Sequence, residues 1–466
     1  MILNNKNFSA FLALFGHLAD CKSVTMPALF PSSAQQSAPN KTQNHLKSIY
    51  RSHLKFSVLA VMFFALVISS CGNAGALENQ TVDVPTEKPD RVEALPIFPG
   101  IYNVDMYLPL LEGKRVAIVA NQASIIDTLH LADMLLKEGV NVVKAFCPEH
   151  GFRGTADAGQ KVDSGKDEKT GLNVISLYGN NKKPTKEQLK DVDIVVFDLQ
   201  DVGVRFYTYL STLHYVMEAC AESEIPVIVL DRPNPNASYI DGPVLDTANY
   251  RSFVGMHPVP IVYGMTIGEY AQMINGEGWL KDGLVCNLTV VPCQNYTHYR
   301  KYRLPIKPSP NLPNARSIKL YPTLCIFEAT CISVGRGTDM QFQVLGHPLY
   351  KDVVENPFTF TPKPNAGASN PLLNGKECYG FNLTDDEAIF DWRVDKFNVS
   401  VIIKMYELFP DKANFFNKNN MLEKLVGTKE FRKQIENGVP EEEIRRSWED
   451  GLENFKKIRS KYIIYS

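Results

Sequence analysis

The sequence lacks several features that would place it in a common class of protein. Its 466 residues carry a net charge of −2, so it has no basic excess of the kind that nucleic-acid-binding proteins show. It contains no C-x-x-C pair and no H-E-x-x-H spacing, which excludes the usual zinc-binding arrangements. We therefore expect neither a nucleic-acid partner nor a metal ion.

Glycine-rich phosphate-binding motifs are missing as well. The first apolar strand is followed by "NQASII", without the G-x-G-x-x-G that lets a backbone approach a pyrophosphate group. No strand is followed by a P-loop Gly-Lys-Ser/Thr. We expect no cofactor, and a nicotinamide-dependent oxidoreductase is disfavoured.

One long apolar run is present, near the N-terminus. Lys47, Arg51 and Lys55 precede Phe56–Cys71, and this run ends in "ISSC". A basic region, a short apolar region and small residues are typical of a secretory signal. The ending resembles the bacterial lipobox, which implies that Cys71 is acylated.

This interpretation fixes the expected N-terminal organisation. Residues 1–71 are predicted to be an N-terminal extension with a lipoprotein signal peptide, and residues 72–95 to be a flexible tether. We expect the protein to be attached to the lipid bilayer through Cys71 on the periplasmic side.

The remaining chain predicts an α/β fold. Apolar runs rich in β-branched residues alternate with helical stretches, the first from Asp127 to Gly139, and indicate βαβ units with a parallel sheet. These runs are Lys114–Ala120, Val140–Phe146, Val192–Leu199 and Ile225–Asp231. We predict a Rossmann-like domain over residues 96–290 and a smaller α+β domain over residues 291–466, where Trp448, Leu452, Phe455 and Ile458 share one helical face.

Polar residues follow each of the four strands directly. They are Asn121-Gln122, Glu149-His150, Gln200-Asp201 and Asp231-Arg232. In this architecture ligands bind beyond the carboxyl ends of the strands, so these side chains are predicted to line a shared cleft.

Glu149 is the first candidate for chemistry. It follows a proline at a strand end, and Gly151 and Gly154 nearby allow a ligand to approach the backbone. A partly desolvated carboxyl group at this place can act as a general acid, whereas a solvated loop glutamate would not. His150 could orient Glu149 or contact substrate, or be a structural histidine.

The segment "DLQDVGVRFYTY" offers further candidates. Asp201, Arg205 and Tyr207 are predicted to face the cleft, with Asp201 as a possible second catalytic group. Asp198 lies inside the apolar run and is interpreted as structural, either capping a helix or pairing with a buried arginine.

Glu328 and Arg336 form another polar cluster, which could line the opposite wall of the cleft or be a buried ion pair. Glycoside hydrolysis usually requires two carboxylates, but one suffices when a 2-acetamido group of the sugar acts as internal nucleophile. Glu149 alone could therefore serve on an N-acetylated sugar.

Several motifs between Lys114 and Thr338 occur in an order that resembles a known family. They are "CPEHGFRG", "DLQDVGVRFYTYLSTL", "LDRPNPN", "HPVPIVYGMTIGEYA", "PSPNLP", "YPTLCIFEAT" and "SVGRGT". Together they are similar to the NamZ-type exo-β-N-acetylmuramidases of peptidoglycan turnover.

The resemblance implies a Rossmann-like domain joined to a smaller one, with the active site in the cleft between them. It implies release of N-acetylmuramic acid from the non-reducing end of glycan fragments, and it places the family's catalytic glutamate on Glu149. The lactyl carboxylate of that sugar could be bound bidentately by Arg153, Arg205 or Arg336. The alternative is a non-catalytic lipoprotein that only binds such sugars or muropeptides.

Overall fold

The computed structural model describes residues 95–153, 164–384 and 395–465. The predictions for residues 1–71 and most of 72–95, including acylation of Cys71, lie outside the described residues. The strands are β1 (Val116–Ala120), β2 (Ile125–Ile126), β3 (Leu129–His130), β4 (Val142–Cys147), β5 (Gly165–Lys166), β6 (Asn173–Ser176), β7 (Ile194–Asp198), β8 (Val227–Leu230), β9 (Leu288–Val291), β10 (Val344–His347), β11 (Phe358–Phe360) and β12 (Cys378–Asn382).

The α-helices of the same residues are mostly short. They are Val104–Leu111, Leu131–Lys137, Lys186–Leu189, Tyr209–Glu222, Thr247–Tyr250, Ile267–Gly276, Ala315–Leu324, Val399–Leu408, Met421–Val426, Glu430–Glu436, Glu441–Arg446 and Glu449–Arg459. Short 3-10 turns lie at Gly100–Tyr102, Lys281–Gly283, Cys325–Ala329, Pro348–Tyr350 and Lys412–Asn414.

Seven strands form one large sheet in the order β5-β6-β4-β1-β7-β8-β9. All neighbours are parallel except β5, which runs antiparallel to β6 at the edge. The predicted α/β fold with a mostly parallel sheet is confirmed, and the four predicted strands correspond to β1, β4, β7 and β8.

Both faces of this sheet are covered, which explains the uninterrupted apolar runs. Successive side chains of β1 point to opposite faces, so Ala117 and Val119 join one buried cluster while Val116 and Ile118 join another. The first cluster continues into the C-terminal part of the chain, where Phe327 and Phe397 belong to it.

The strand order places a topological switch point at β1. The chain goes from β1 to β4 on one side and later to β7 on the other side. Loops that leave neighbouring strands in opposite directions open a crevice at such a point, and this is where doubly wound sheets bind ligands. The segments after β1, β4 and β7 meet at this crevice.

The C-terminal part carries a small antiparallel sheet in the order β10-β12-β11, and helices precede and follow it in the chain. It forms the smaller α+β unit that the sequence predicts. The last helices bury Trp448, Leu452 and Phe455, while Ile458 is half-buried.

One predicted helix begins later than expected. The pattern indicated a helix from Asp127 to Gly139, but a hairpin of β2 and β3 comes first and the helix covers only Leu131–Lys137. Asp127 adopts φ 53° at the hairpin turn, a left-handed conformation that a helix cannot contain.

Some general properties of residues 95–153, 164–384 and 395–465 bear on function. No helix among them combines the length and apolar character that a bilayer-spanning segment needs. No three His, Cys, Asp or Glu side chains in these ranges are grouped as metal ligands would be. Their seven cysteines form no disulfide, and all but the half-buried Cys331 are buried.

Candidate active site

A tight turn after β4 carries Glu149. The Gly151 amide donates to the Pro148 carbonyl at 3.1 Å, which closes the turn directly beyond the strand. His150 stands at the third position with φ 73°, where glycine is the usual residue. A histidine in this left-handed region costs about 1–2 kcal/mol. Strain of this kind is found most often at functional sites.

Two hydroxyl groups hold the half-buried Glu149 carboxylate. Thr208 Oγ1 donates to Glu149 Oε2 at 2.9 Å, and the Tyr178 hydroxyl also hydrogen-bonds the carboxylate. Tyr209 donates weakly to the Glu149 carbonyl at 3.5 Å. Burial and then the Glu149 charge raise the pKa of Tyr178, while the nearby Arg336 guanidinium lowers it. Glu149 is therefore fixed in orientation rather than free in solvent.

Thr208 owes its role to its place in the chain. It is the N-cap residue of the helix Tyr209–Glu222, where a threonine side chain normally accepts from the first backbone amides. Here the side chain makes no such capping bond. Its hydroxyl is directed to Glu149 instead, which links the turn after β4 with the helix after β7.

The segment Lys307–Pro308 closes over this region. The Pro308 carbonyl accepts hydrogen bonds from the Tyr207 hydroxyl at 2.9 Å, the Tyr209 hydroxyl at 3.3 Å and Gln122 Nε2 at 3.1 Å. These donors come from segments after β1 and β7, so a loop that follows the large sheet is tied to the crevice at its centre.

A row of aromatic rings connects the crevice to the Glu328–Arg336 pair. Tyr207 contacts Tyr321 at 6.1 Å between ring centroids, and Tyr321 contacts Phe342 at 4.9 Å. The Arg336 guanidinium lies 5.2 Å from the centre of the Phe342 ring and pairs with Glu328 at 2.5 Å. Both charged side chains are about a quarter exposed. The two side chains thus form an ion pair, and their predicted place on the wall of the cleft stays a prediction.

Asp201 does not face the cleft as predicted, so the structure does not favour a role as a second catalytic group. The residue is 3% exposed, and its Oδ2 accepts from the Tyr263 hydroxyl and from the Gly203 amide. Burial raises the pKa of Asp201 to about 6, although the Tyr263 hydroxyl opposes the rise. A group enclosed in this way cannot touch a substrate.

Arg205 is a structural residue, and its predicted contact with substrate is also wrong. It is 1% exposed, and its terminal nitrogens donate to four backbone carbonyls. These belong to Pro243, Val259, Leu425 and Val426. Burial lowers the pKa of Arg205 to about 9. The guanidinium joins segments that lie far apart in the sequence.

Asn121 and Tyr207 support the site from beneath. Asn121 is 0% exposed, and its Nδ2 donates to the Tyr209 hydroxyl at 2.9 Å. Tyr207 is buried and donates to Pro308. Both side chains are buried, so the structure gives no support to their predicted contact with substrate, which stays a prediction. His150 is buried as well, and its proposed contact with Glu149 or substrate stays a prediction.

Arg153 is engaged by carboxylates of its own surroundings. It makes a bidentate pair with Asp167 through bonds of 2.9 and 2.7 Å, and Asp133 lies 3.6 Å away. The Arg153 partner holds the pKa of Asp167 at about 2. Since its fork is occupied, Arg153 is a poor candidate for binding the carboxylate of a ligand.

The remaining polar residues at the strand ends stabilise the sheet. Asp198 forms a buried bidentate pair with Arg232 at 2.5 and 2.8 Å, which confirms the structural interpretation of Asp198. Asp231 accepts from Thr266 and Gly268, and burial raises its pKa to about 6. Among the four predicted clusters, Glu149 and Gln122 keep partial exposure.

Sequence reasoning missed Tyr178, Thr208 and Phe253. Tyr178 follows the short edge-side strand β6, whose four residues carry little apolar signal. Thr208 stands beside the predicted Tyr207, and only its N-cap position could have drawn attention. Phe253 contacts Tyr178 at 6.0 Å between ring centroids and comes from a loop without a recognisable motif.

Two family models match nearly all of the described chain. The model for the N-terminal part of the exo-β-N-acetylmuramidase NamZ matches residues 116–316, and the model for its C-terminal part matches residues 319–465. The boundary between the models follows the closing segment Lys307–Pro308, so the first model contains all the residues that hold Glu149.

Similar proteins are known from two sources. A curated relative, the peptidoglycan β-N-acetylmuramidase NamZ of Bacillus subtilis, is 39% identical over 407 residues, which cover 83% of this chain and 96% of the relative. Crystal structures of two DUF1343 family proteins from Bacteroides fragilis are similar. One has a TM-score of 0.73 and 43% identity over 80% of this chain and 99% of its own. The other has a TM-score of 0.68 and 31% identity over 79% and 99%.

Proposed function

Because the chain belongs to the NamZ exo-β-N-acetylmuramidase family, and is therefore a glycoside hydrolase, we propose that it removes N-acetylmuramic acid from the non-reducing end of peptidoglycan fragments. In this proposal Glu149 is the proton donor. The observation that carries the assignment is the position of Glu149 at the switch point of the sheet, half-buried and held by the hydroxyl groups of Thr208 and Tyr178.

The proton donor acts on the oxygen of the glycosidic bond. As the bond between C1 of the terminal sugar and this oxygen breaks, the Glu149 carboxyl passes its proton to the oxygen, and the rest of the glycan departs as an alcohol. Thr208 and Tyr178 hold the carboxyl group in one orientation. The fixed geometry supports proton transfer because a general acid must lie within hydrogen-bond reach of the atom that it protonates.

The second catalytic group is proposed to be the substrate itself. With Asp201 enclosed by Tyr263 and Gly203, it cannot attack C1. The acetamido oxygen of the terminal sugar can form a bond to C1 instead, which gives a cyclic intermediate. Water then opens this ring at C1 while the Glu149 carboxylate accepts the proton of the water. The acid of the first step is thus restored.

Arg336 is the proposed partner of the lactyl carboxylate. It lies near Tyr178, about a quarter of its side chain is exposed, and its Nε has no hydrogen-bond partner among the described residues. Glu328 pairs with its terminal nitrogen Nη2 at 2.5 Å, so a ligand carboxylate would share the guanidinium with Glu328. Donors of the guanidinium therefore remain for a second carboxylate, which an arginine can bind in a fixed geometry.

The Glu149→Gln variant tests the assignment. Glutamine still accepts from the two hydroxyl groups but cannot donate an acidic proton, so we expect kcat on a muramyl-N-acetylglucosamine disaccharide to fall about 10²–10⁴-fold. The urea midpoint should stay unchanged, which separates chemistry from folding. Thr208→Val is the matched variant that keeps Glu149 and removes one orienting bond, with a smaller expected loss. Wild-type turnover retained in Glu149→Gln would defeat the proposal.

Attachment to the membrane is a separate proposal that depends on the sequence alone. The basic residues, the apolar run and the "ISSC" ending support acylation at Cys71 and a periplasmic location. Metabolic labelling with an alkyne fatty acid should label the wild-type protein and leave Cys71→Ser unlabelled. Equal labelling of both proteins would contradict the anchor.

A further inference from the structure

A cavity of about 600 Å³ lies against the helix Tyr209–Glu222, apart from the crevice that contains Glu149. This volume falls within the range of roughly 300–1,000 Å³ that is usual for small-molecule sites. Trp279, Tyr215 and Arg251 are on its wall, and Glu149 does not line it. The cavity is therefore distinct from the proposed catalytic site.

The floor of the cavity is a directed chain of hydrogen bonds. His257 lies 3.0 Å from the Tyr270 hydroxyl through Nδ1 and 2.9 Å from His214 Nδ1 through Nε2. His214 Nε2 faces Glu218 Oε2 at 3.5 Å. The arrangement is satisfied when Tyr270 donates to His257, His257 donates to His214, and His214 donates to the Glu218 carboxylate.

The charge state of the residues at this floor follows from their burial and their partners. Burial lowers the pKa of His214 to about 4, and burial also lowers that of His257, so both rings are neutral near pH 7. The Glu218 carboxylate accepts from Lys183 Nζ at 2.7 Å and from the Lys281 amide at 2.9 Å. Glu218 therefore shares the charge of Lys183 with Glu222, to which the same Nζ donates at 2.8 Å.

Arg251 is an exposed cationic residue on the wall of the cavity. Its Nε donates to Met256 Sδ at 3.3 Å, and a thioether sulfur is only a weak acceptor. No carboxylate within residues 95–153, 164–384 and 395–465 pairs with Arg251. Its guanidinium is close enough to His214 and His257 to contribute to the low pKa of both. The cavity thus offers two cationic side chains, Arg251 and Lys281, beside two neutral histidines.

An aromatic wall accompanies these cations. Trp279 stacks on His257 with 4.7 Å between ring centroids and an interplanar angle of 18°, which fixes the indole at the cavity. Flat aromatic rings beside a few polar groups are typical of sites that fix the orientation of a small ligand. A ligand with an apolar ring face and a carboxylate would match both features.

The loop that carries Arg251 also reaches the Glu149 site. Phe253 contacts Tyr178 at 6.0 Å on one side and stacks on Tyr215 at 6.3 Å on the other side. Tyr178 hydrogen-bonds Glu149, and Tyr215 lines the cavity. Two ring contacts therefore separate the proposed proton donor from the cavity.

We infer that this cavity is a second ligand site, which binds a carboxylate-bearing sugar in the departing part of the glycan, with Arg251 on the carboxylate and Trp279 beside the sugar ring. This inference rests on the proposed function for the direction in which the glycan extends. It assigns a role to Arg251, Tyr215 and Trp279 that the chemistry at Glu149 does not require.

Binding is tested first without turnover. In full-length Glu149→Gln protein, N-acetylmuramic acid should change the Trp279 fluorescence in a saturable way. N-acetylglucosamine, which lacks the carboxylate, should bind at least about tenfold more weakly. The same titration of protein that carries both Glu149→Gln and Trp279→Phe shows whether the fluorescence change comes from Trp279. Arg251→Ala should abolish it, whereas Arg446→Ala, which removes an exposed arginine on another helix, should not.

Kinetics test the link to the substrate. Wild-type kcat/KM should be about tenfold higher for a tetrasaccharide with a second muramyl unit than for the disaccharide, and Arg251→Ala should bring this ratio close to one. Arg446→Ala should keep the ratio.

The outcomes separate the two proposals. No Trp279 response, an equal response to both sugars, or a response that survives Arg251→Ala would overturn the second site. A wild-type ratio near one would overturn its role in binding the departing glycan. If wild-type protein hydrolyses neither saccharide, the proposed function fails, and the fluorescence titration still decides whether the cavity binds an acidic sugar.

Discussion

The Asp201→Asn variant tests whether Asp201 is a structural residue or a catalytic one. Asparagine can still accept from the Tyr263 hydroxyl and the Gly203 amide through its side-chain oxygen. The other oxygen of Asp201, Oδ1, has no hydrogen-bond partner among the described residues, so its replacement by an amide nitrogen breaks no existing bond. What changes is the ability to carry a negative charge.

The size of the effect follows from the pKa of Asp201. Burial raises it from 3.8 to about 6, so between these values the folded protein holds a proton that the unfolded chain has lost. The stabilising contribution is fully present below pH 3.8 and is lost as the pH rises through about 6. The difference corresponds to roughly 3 kcal/mol of unfolding free energy. Asp201→Asn should recover most of this at pH 8 and little at pH 4.

Urea unfolding of both proteins at pH 4 to 8 measures this directly. The midpoint of the variant should exceed that of the wild type at pH 8, and the two should converge near pH 4. Turnover of the disaccharide should remain within about tenfold of wild type, whereas loss of a general acid or base costs about 10²–10⁴-fold.

Two results would refute the reasoning. A variant that is as stable as wild type at every pH would show that Asp201 is not held against ionisation. A loss of turnover as large as that of Glu149→Gln, with folding intact, would restore Asp201 as a catalytic group.

Four further predictions follow from the site and its supports. Arg205→Met should lower the unfolding free energy by at least about 3 kcal/mol in urea titrations, because four buried carbonyls lose a charged donor; a smaller loss would contradict its structural role. Arg336→Lys should raise KM for muramyl substrates with little change in kcat, since lysine cannot bind a carboxylate bidentately; an unchanged KM would remove Arg336 from the site. Asp167→Asn should lower the urea midpoint at pH 7 but not near pH 2, because the contribution of the Arg153 pair is present above pH 3.8 and is lost as the pH falls through about 2. Proton NMR of the first-formed sugar should show retention of the anomeric configuration, as the acetamido route requires, and inversion would exclude that route.

The sequence predicts the sheet well because its physical cause is local. Strands buried on both faces need continuous β-branched runs, and β1, β4, β7 and β8 have them. The position of Glu149 follows from the same logic, since the residue after β4 must lie at the carboxyl edge of the sheet. Short strands such as β6 escape this reasoning, and Tyr178 was missed with it.

Burial of polar side chains is what the sequence could not predict. Asp201 and Arg205 follow β7 just as Glu149 follows β4, yet both are enclosed. Their enclosure depends on Tyr263 and on the carbonyls of Leu425 and Val426, which arrive from distant parts of the chain. The sequence of residues 198–209 does not contain this information, because burial depends on the distant segments that pack against these residues.

The guanidinium of Arg205 also has a consequence for how the polypeptide can be divided. Two of its four acceptors, Pro243 and Val259, belong to the part of the chain before residue 316, and the other two come from Leu425 and Val426 near the C-terminal end. A fragment that stopped near residue 316 would have to leave this cation half-coordinated in an apolar interior or hydrate it by opening the packing. We expect neither half to fold when it is expressed alone, so the two halves have to acquire their native state in concert.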